Sequence, residues 1–307
     1  MLGADHHPSP LWPPASLRNF RGSHPRHDFL LHGGPLCGSV ELYRAVLPFL
    51  ELWLTPFTGL SSPLTRAGVA VNHLNLGIRV QAPLSVTVPL RIMPLGASIT
   101  YGQASSEGNG YRADLRDRLT GDGIVVNMVG SRQHGTMLDS EVEGWPGFRI
   151  DQVHNKAREA VPQYKPNVIL INVGTNDAVQ NRNVSTAGER MEAMIDDLYR
   201  MSPRATILLS TLLLNRNPRT ERAVQNINAQ FTALVPKLQS EGRHISLVDM
   251  HSPENGPLIQ DLADETHPND IGYQKMADIW YSGLRYVSDQ GWLQAPEPVS
   301  DQPDNGT

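Results

Sequence analysis

Residues 91–102 read RIMPLGASITYG, and this stretch decides how the rest of the chain is interpreted. It begins as a short apolar run and continues into Gly96-Ala97-Ser98, which places a serine on a turn where a strand would end. Such a run is typical of a strand that is buried on both faces of a parallel sheet. A serine on such a turn is more often a turn former or a helix cap than a catalytic residue. Its role therefore depends on what the rest of the chain places beside it.

Four more apolar runs follow, and each gap between them could contain a helix. They are GIVVNMVG at 123–130, NVILINVG at 167–174, TILLSTLLL at 206–214 and HISLVDM at 244–250. Apolar residues also recur at helical spacing within 191–201, 223–238 and 273–287. Because parallel strands need helical crossovers, this alternation predicts an α/β fold, a three-layer α/β/α sandwich with a central parallel five-stranded sheet.

Charge and composition disfavour several classes of protein. The chain has 26 Lys and Arg against 31 Asp and Glu, so its formal net charge of -5 provides no overall positive field for nucleic acid. Cys37 is the only cysteine, which excludes an intrachain disulfide and any cysteine pair that could bind zinc. The most apolar stretch, Ala45–Leu60, is interrupted by prolines and is too short for a membrane-spanning helix. We expect a monomer with no nucleic-acid partner and no stable membrane insertion.

The composition and pattern of the sequence suggest three regions. Residues 1–89 are irregular and rich in Pro, His and Gly, so we expect an N-terminal extension of unknown role. The alternating runs place a domain at 90–290, and the polar, Pro-rich residues 291–307 predict a disordered tail. A nucleotide-binding module on the same kind of sheet is disfavoured, because neither G-x-G-x-x-G nor a P-loop is present.

Ligands of such sheets bind beyond the carboxyl ends of the strands, so the residues that follow each run are candidates for a site. Gly130 follows the second run, and its backbone N–H could face an oxyanion, although alone it is only a turn glycine. Asn176 follows the third run, where its amide could cap the next turn or donate to a developing negative charge. Together with Ser98, these residues would meet at one edge of the sheet.

The fifth run is followed by Asp264-Glu265-Thr266-His267-Pro268, just before the last helical pattern. Pro268 favours an extended conformation for His267. Asp264 could then accept the imidazole Nδ1–H and leave Nε2 free to take a serine proton, whereas an isolated Asp-x-x-His is more often a surface turn. The order of these features along one sheet edge makes chance a poor explanation for them.

In this order, the segments GASITYG, VGS, VGTNDA and DETHP resemble the four sequence blocks of SGNH (GDSL-like) hydrolases. The resemblance covers roughly residues 91–287 and implies a flavodoxin-like fold and acyl transfer with no metal or organic cofactor. It further implies that Ser98 is the nucleophile and that Asp264 and His267 complete a catalytic triad. The implied oxyanion-hole donors are Gly130, Asn176 and the backbone N–H of Ser98. Ala97 departs from the family, which usually has Asp immediately before the nucleophile. Because that Asp mainly supports the turn, its absence affects the detailed geometry of the turn more than the expected activity.

A narrower resemblance, to carbohydrate esterase family 3 (acetyl xylan esterases), comes from VGSR at 129–132, GTM at 135–137 and EGWPGFRI at 143–150. It implies a serine esterase acting on acetyl esters of a carbohydrate, small or polymeric. Trp145 and Arg149 are candidate substrate contacts, although this segment could equally be a structural loop. The alternatives are a lipid or thioester acylhydrolase with the same triad, and a carbohydrate-binding pseudoenzyme.

Localisation stays open at this level. The resemblance favours secretion, and the triplet that begins at Asn183 would permit N-glycosylation of a secreted protein. The first residues, however, lack the basic region and apolar core of a secretory signal.

Overall fold

Strand β1 (Leu90–Gly96) lies inside the sheet of the computed structural model, which describes residues 83–300. All residues of β1 except Arg91 are buried, as expected for this apolar run. The other strands are β2 (Val126–Met128), β3 (Arg132–Gln133), β4 (Glu141–Gly144), β5 (Val168–Asn172), β6 (Thr206–Ser210) and β7 (Ile245–Val248). The helices are α1 (Ser98–Tyr101), α2 (Tyr111–Gly121), α3 (Ile150–Tyr164), α4 (Thr175–Val179), α5 (Ala187–Met201), α6 (Pro218–Ser240) and α7 (Asp270–Asp289), with short 3-10 helices at Val184–Thr186 and Ile259–Asp261.

The strand order across the sheet is β3-β4-β1-β5-β6-β7, and β2 also pairs with β1. Every pair is parallel except that of β3 with β4. The strands β2, β5, β6 and β7 lie within the last four apolar runs, and β1 begins one residue before the first run. The predicted parallel central sheet is therefore confirmed in its main part.

The sheet has seven strands rather than the predicted five, because it also contains the two short strands β3 and β4. Strand β2 pairs with β1 only from Leu90 to Ile92, and β4 pairs with Leu95 and Gly96 further along β1. The sequence of β4 is EVEG, which has a single apolar side chain, so no apolar run marks it. Its place in the sheet depends on backbone hydrogen bonds, which any residue except proline can donate and accept.

Helices cover both faces of the sheet, which confirms the predicted α/β sandwich. On β5, Ile169 and Ile171 pack with the apolar side chains of α3, α5 and α6. Val168 and Leu170 point the other way and pack with those of α2 and α7. Because successive side chains of a strand alternate between faces, a strand enclosed in this way has to be apolar throughout.

The ordered domain extends past the predicted limits at both ends. Leu84 is buried, and its N–H donates to the hydroxyl of Tyr281 at 3.2 Å. Residues 291–300 fall in the predicted disordered tail, yet they pack against the domain. There the Trp292 carbonyl accepts a hydrogen bond from Thr206 Oγ1 at 2.9 Å. Such long-range contacts cannot be read from local composition.

Some of the sequence predictions fall outside the described residues. These are most of the predicted extension, with Cys37 and Ala45–Leu60, and the end of the tail from 301 to 307. Within residues 83–300, no helix combines the length and the apolar character needed to cross a membrane.

Candidate active site

Ser98 is the first residue of α1 and follows the end of β1 almost directly. The turn that presents it is tight, because a Cβ on Gly96 would lie 2.2 Å from Thr100 Oγ1 and 2.3 Å from the carbonyl oxygen of Asn172. No larger residue fits there without moving the backbone of β5. Only 8% of Ser98 is exposed, and the residue lies at the carboxyl end of the sheet.

His267 lies on the loop before α7, and backbone hydrogen bonds close this loop on both sides. The N–H of Ala263 donates to the His267 carbonyl at 2.8 Å, and the N–H of Asn269 donates to the Asp261 carbonyl at 2.8 Å. The side chain of Asn269 also caps α7, since its Oδ1 accepts the N–H of Gly272 at 3.0 Å. The start of the helix therefore holds the loop in place.

The structure brings Ser98, His267 and Asp264 into one hydrogen-bonded chain. His267 Nε2 lies 2.9 Å from Ser98 Oγ, and His267 Nδ1 lies 2.7 Å from Asp264 Oδ2. An ionised carboxylate can only accept, so the imidazole proton belongs on Nδ1. Nε2 is then unprotonated and can accept the proton of the serine hydroxyl.

Asp264 is held as an anion by three N–H donors. Partial burial by itself raises the pKa of its carboxyl. Hydrogen bonds from the backbone N–H groups of His267 and Thr266 and from the His267 ring outweigh burial and keep the pKa below its usual value. A carboxylate that stays ionised can stabilise a protonated imidazole beside it.

Gly130 and Asn176 follow β2 and β5 at the same sheet edge. Gly130 packs closely on β4, because a Cβ at this position would lie 2.2 Å from the carbonyl carbon of Val142. Asn176 lies in the first turn of α4, and its Nδ2 donates to the Phe148 carbonyl at 2.9 Å. An amide nitrogen carries two hydrogens, so this bond orients the group and leaves a second N–H as a donor.

The side chain of Trp145 is already engaged with the protein. Its backbone N–H donates to the Gly96 carbonyl at 3.0 Å, which places the residue beside the end of β1. Its ring stacks on Phe148 with centroids 5.5 Å apart, and the Arg132 guanidinium lies 4.7 Å from the ring centre. Its Nε1 donates to Glu143 Oε1 at 2.6 Å. Trp145 is half-buried, and a substrate role for it stays a prediction.

Arg149, the other candidate substrate contact, precedes α3 at the end of the same loop. Its guanidinium donates to the side chain of Gln180, just after α4, and the residue is half-buried. It joins two loops at the sheet edge, and a substrate role for it stays a prediction.

Sequence reasoning missed Asn215 and Arg216, which hold the loop of His267 from the loop between β6 and α6. Asn215 Nδ2 donates to Thr266 Oγ1 at 3.0 Å. Arg216 donates through its backbone N–H to the Glu265 carbonyl at 3.0 Å and through its guanidinium to the Leu262 carbonyl at 2.8 Å. The available signal was their position, since they are the first polar pair after the fourth apolar run.

Other features of the described chain lie apart from this site. A cavity of about 930 Å³ lies between α6 and α7 beside β7, and residues such as Val235, Leu247 and Ile279 line it. None of the candidate site residues contributes to its wall. Among residues 83–300, no group of three or more His, Cys, Asp and Glu side chains is arranged to hold a metal ion.

Two known proteins are similar to parts of this sequence. A multidomain esterase of Ruminococcus flavefaciens is 27% identical over 267 residues, which are 78% of this chain and 34% of that protein. A putative endoglucanase X of Acetivibrio thermocellus is 25% identical over 132 residues, which are 43% of this chain and 56% of that protein. The matches thus span about a third and just over half of these relatives.

Solved structures share the fold. A family 3 carbohydrate esterase of Clostridium thermocellum superposes with a TM-score of 0.59 at 25% identity and covers 66% of this chain and 98% of that one. A carbohydrate esterase family 3 structure from Talaromyces cellulolyticus gives a TM-score of 0.57 at 20% identity, with coverage of 65% and 99%. The GDSL-like Lipase/Acylhydrolase family matches residues 95–275, a range that contains all five residues of the candidate triad and oxyanion hole. With more than half of its length in that match, this chain belongs to the GDSL-like lipase/acylhydrolase family.

Proposed function

We propose that this protein is a serine esterase in which Ser98 is the nucleophile, His267 the general base and Asp264 the residue that orients the imidazole. The observation that carries the proposal is the continuous chain of short contacts from Ser98 Oγ through the imidazole to the Asp264 carboxylate. A serine hydroxyl is a weak nucleophile at neutral pH, and an adjacent base in the right tautomer activates it. Family membership supports the same chemistry.

The reaction proceeds in two steps. Ser98 Oγ attacks the ester carbonyl while its proton passes to His267 Nε2, and the C–O bond breaks as the imidazolium returns that proton to the departing alcohol. Water, deprotonated by His267, then attacks the acyl-enzyme and releases the carboxylic acid and Ser98. In both steps the carbonyl oxygen becomes negatively charged, and the N–H groups of Ser98, Gly130 and Asn176 stabilise it.

The substrate class that we propose is an acetylated carbohydrate. Similarity to the Ruminococcus multidomain esterase and to the Clostridium family 3 carbohydrate esterase supports this choice. The chain between β2 and α3 is rich in polar and charged side chains, which suit hydroxyl groups better than an alkyl chain. We propose Arg149, at the end of this segment, as a contact for the carbohydrate.

Labelling with a serine-directed fluorophosphonate tests the proposed nucleophile. We expect one covalent adduct, and peptide mapping should assign it to Ser98. Ser98→Ala should remain folded, since it removes a single hydroxyl oxygen, and should lower kcat by about 10⁴-fold or more.

Ser106→Ala is the matched control, because Ser106 lies on the loop after α1 and its side chain is exposed. It should retain wild-type labelling and kcat. An adduct on another residue, or a Ser98→Ala variant with a tenth of the wild-type kcat, would overturn the assignment.

A further inference from the structure

Glu143 is a completely buried acidic residue that the mechanism above does not use. It lies on β4, the strand that the sequence did not reveal, and none of the ion pairs among residues 83–300 includes it. Burying a carboxylate is costly unless hydrogen bonds compensate for the lost water. Each oxygen of Glu143 accepts one N–H, and both donors lie in loops of the candidate active site.

The first oxygen controls the loop of Gly130. Glu143 Oε2 accepts the backbone N–H of Ser131 at 2.8 Å. That N–H belongs to the peptide that joins Gly130 to Ser131, so the bond sets the plane of this peptide. The close packing of Gly130 on the Val142 backbone removes the remaining freedom. The Gly130 N–H belongs to the preceding peptide, and β4 restricts its direction through the backbone torsions of Gly130.

The second oxygen controls Asn176 through two intermediate residues. Glu143 Oε1 accepts the Nε1–H of Trp145 at 2.6 Å, and the ring of Trp145 stacks on Phe148. The backbone N–H of Phe148 donates to the Trp145 carbonyl at 3.1 Å, which closes the turn between them. The Phe148 carbonyl in turn accepts the Nδ2–H of Asn176 at 2.9 Å. The orientation of the Asn176 amide therefore depends on where Trp145 is held.

We propose that Glu143 is a positioning residue for the oxyanion hole, where one carboxylate aligns the Gly130 and Asn176 donors together. The inference rests on the proposed function, because it concerns the donors of that mechanism. Donors that are aligned before the reaction stabilise the transition state without having to reorient. A loss of alignment lowers kcat and leaves ground-state binding, and therefore KM, almost unchanged.

The test measures kcat and KM for p-nitrophenyl acetate in two variants. Trp145→Phe keeps the stacked ring and removes the N–H that Glu143 accepts, and Glu143→Gln places an amide donor against at least one of the two N–H groups. We expect kcat to fall about tenfold in Trp145→Phe and more in Glu143→Gln, since removal of a whole oxyanion donor costs about 10²–10³. KM should stay within about twofold of the wild type in both.

Glu141→Gln is the matched control, because Glu141 lies on the same strand and its side chain accepts a hydrogen bond from Gln133 at 2.9 Å at the exposed end of β4. It should leave kcat unchanged. Trp145→Phe keeps the proposal testable if Glu143→Gln does not fold, which a thermal melt detects. A kcat within about twofold of wild type in Trp145→Phe would overturn the proposal, and so would a rise in KM alone, which would make Trp145 a substrate contact.

A double-mutant cycle with Asn176→Ala separates this role from general loosening of the fold. If Trp145 acts through Asn176, Trp145→Phe should lower kcat no further in the Asn176→Ala background. In the same background, Glu143→Gln should lower kcat only by the factor that acts through Gly130. Fully multiplicative effects would contradict the proposal. A wild-type enzyme that forms no adduct on Ser98 would instead refute the proposed function itself, whereas normal labelling with an unaffected Trp145→Phe would refute only the role of Glu143.

Discussion

At Asp264, one carboxylate has two structural tasks. Oδ1 accepts the backbone N–H groups of Thr266 and His267, both at 2.7 Å, and Oδ2 accepts the imidazole Nδ1–H. The first task shapes the loop, and the second selects the tautomer. Both tasks need an acceptor, and only a carboxylate supplies two acceptors within one planar group.

Asp264→Asn separates these tasks. The amide oxygen can keep the bonds to the backbone, but the amide NH₂ then faces Nδ1 and favours the tautomer with its proton on Nε2, which cannot accept the Ser98 proton. We expect kcat for p-nitrophenyl acetate to fall by about 10³–10⁴ with little loss of fold. Asp270→Asn is the control, since Asp270 Oδ1 accepts the N–H of Ser106 away from the imidazole. A loss smaller than about tenfold would mean that Asp264 does not orient His267.

At the level of elements, the loop of His267 depends on Asn215, which follows β6. Asn215 is buried, and its side chain donates a hydrogen bond to Thr266 Oγ1. Its backbone N–H is itself held by Glu221 Oε2 of α6 at 2.7 Å. The loop of His267 is therefore supported by α6 as well as by the start of α7.

Asn215→Ala should loosen this support. We expect kcat/KM to fall about tenfold, because small displacements of a catalytic group cost much of its effective concentration. The melting temperature should also drop, since the Thr266 hydroxyl and the cavity left behind are not compensated. Asn226→Ala, on the exposed side of α6, is the control and should change neither quantity. Unchanged kcat/KM in Asn215→Ala would show that α7 alone positions the loop.

At the level of the whole molecule, the surroundings of the candidate site and the position of the cavity near α6 bear on the proposed substrate class. The cavity of about 930 Å³ lies between α6 and α7 and shares no residue with the candidate site. An enzyme for long acyl chains needs an apolar channel that starts at the nucleophile, and each methylene buried there adds about 0.8 kcal/mol. The chain between β2 and α3, which borders the candidate site, is rich in polar and charged side chains.

Hydrolysis of p-nitrophenyl esters should therefore be fastest for acetate and should decline through butyrate to octanoate, with acetate also released from acetylated xylan or a related glycan. The quantity to compare is kcat/KM along the series. A rise from acetate to octanoate would favour a lipid or thioester acylhydrolase and leave the roles of Ser98 and His267 intact. Binding of a glycan without hydrolysis of any ester would indicate a carbohydrate-binding pseudoenzyme.

The five main strands and the sites of the helices α5, α6 and α7 could be predicted because their signals are local. A strand buried on both faces must be apolar throughout, and an amphipathic helix repeats its apolar residues at helical spacing, so each leaves a pattern in adjacent residues. The candidate residues Ser98, Gly130, Asn176, Asp264 and His267 could be named because they follow such runs, and the parallel order sends all these ends to one edge. Thus the sequence by itself determined the α/β class and which residues make up the candidate site.

Only the tertiary structure decided how these residues act on one another. Ser98 and His267 are far apart along the chain, and their 2.9 Å contact exists because β1 and the loop before α7 end at the same edge. Strand β4 is held by backbone pairing that carries no side-chain signal, so the burial of Glu143 and its two hydrogen bonds could not be anticipated. The same holds for residues 291–300, whose polar composition predicts disorder although their backbone carbonyls find donors on the domain. Local patterns specify elements, whereas contacts between distant residues arise only when those elements pack together.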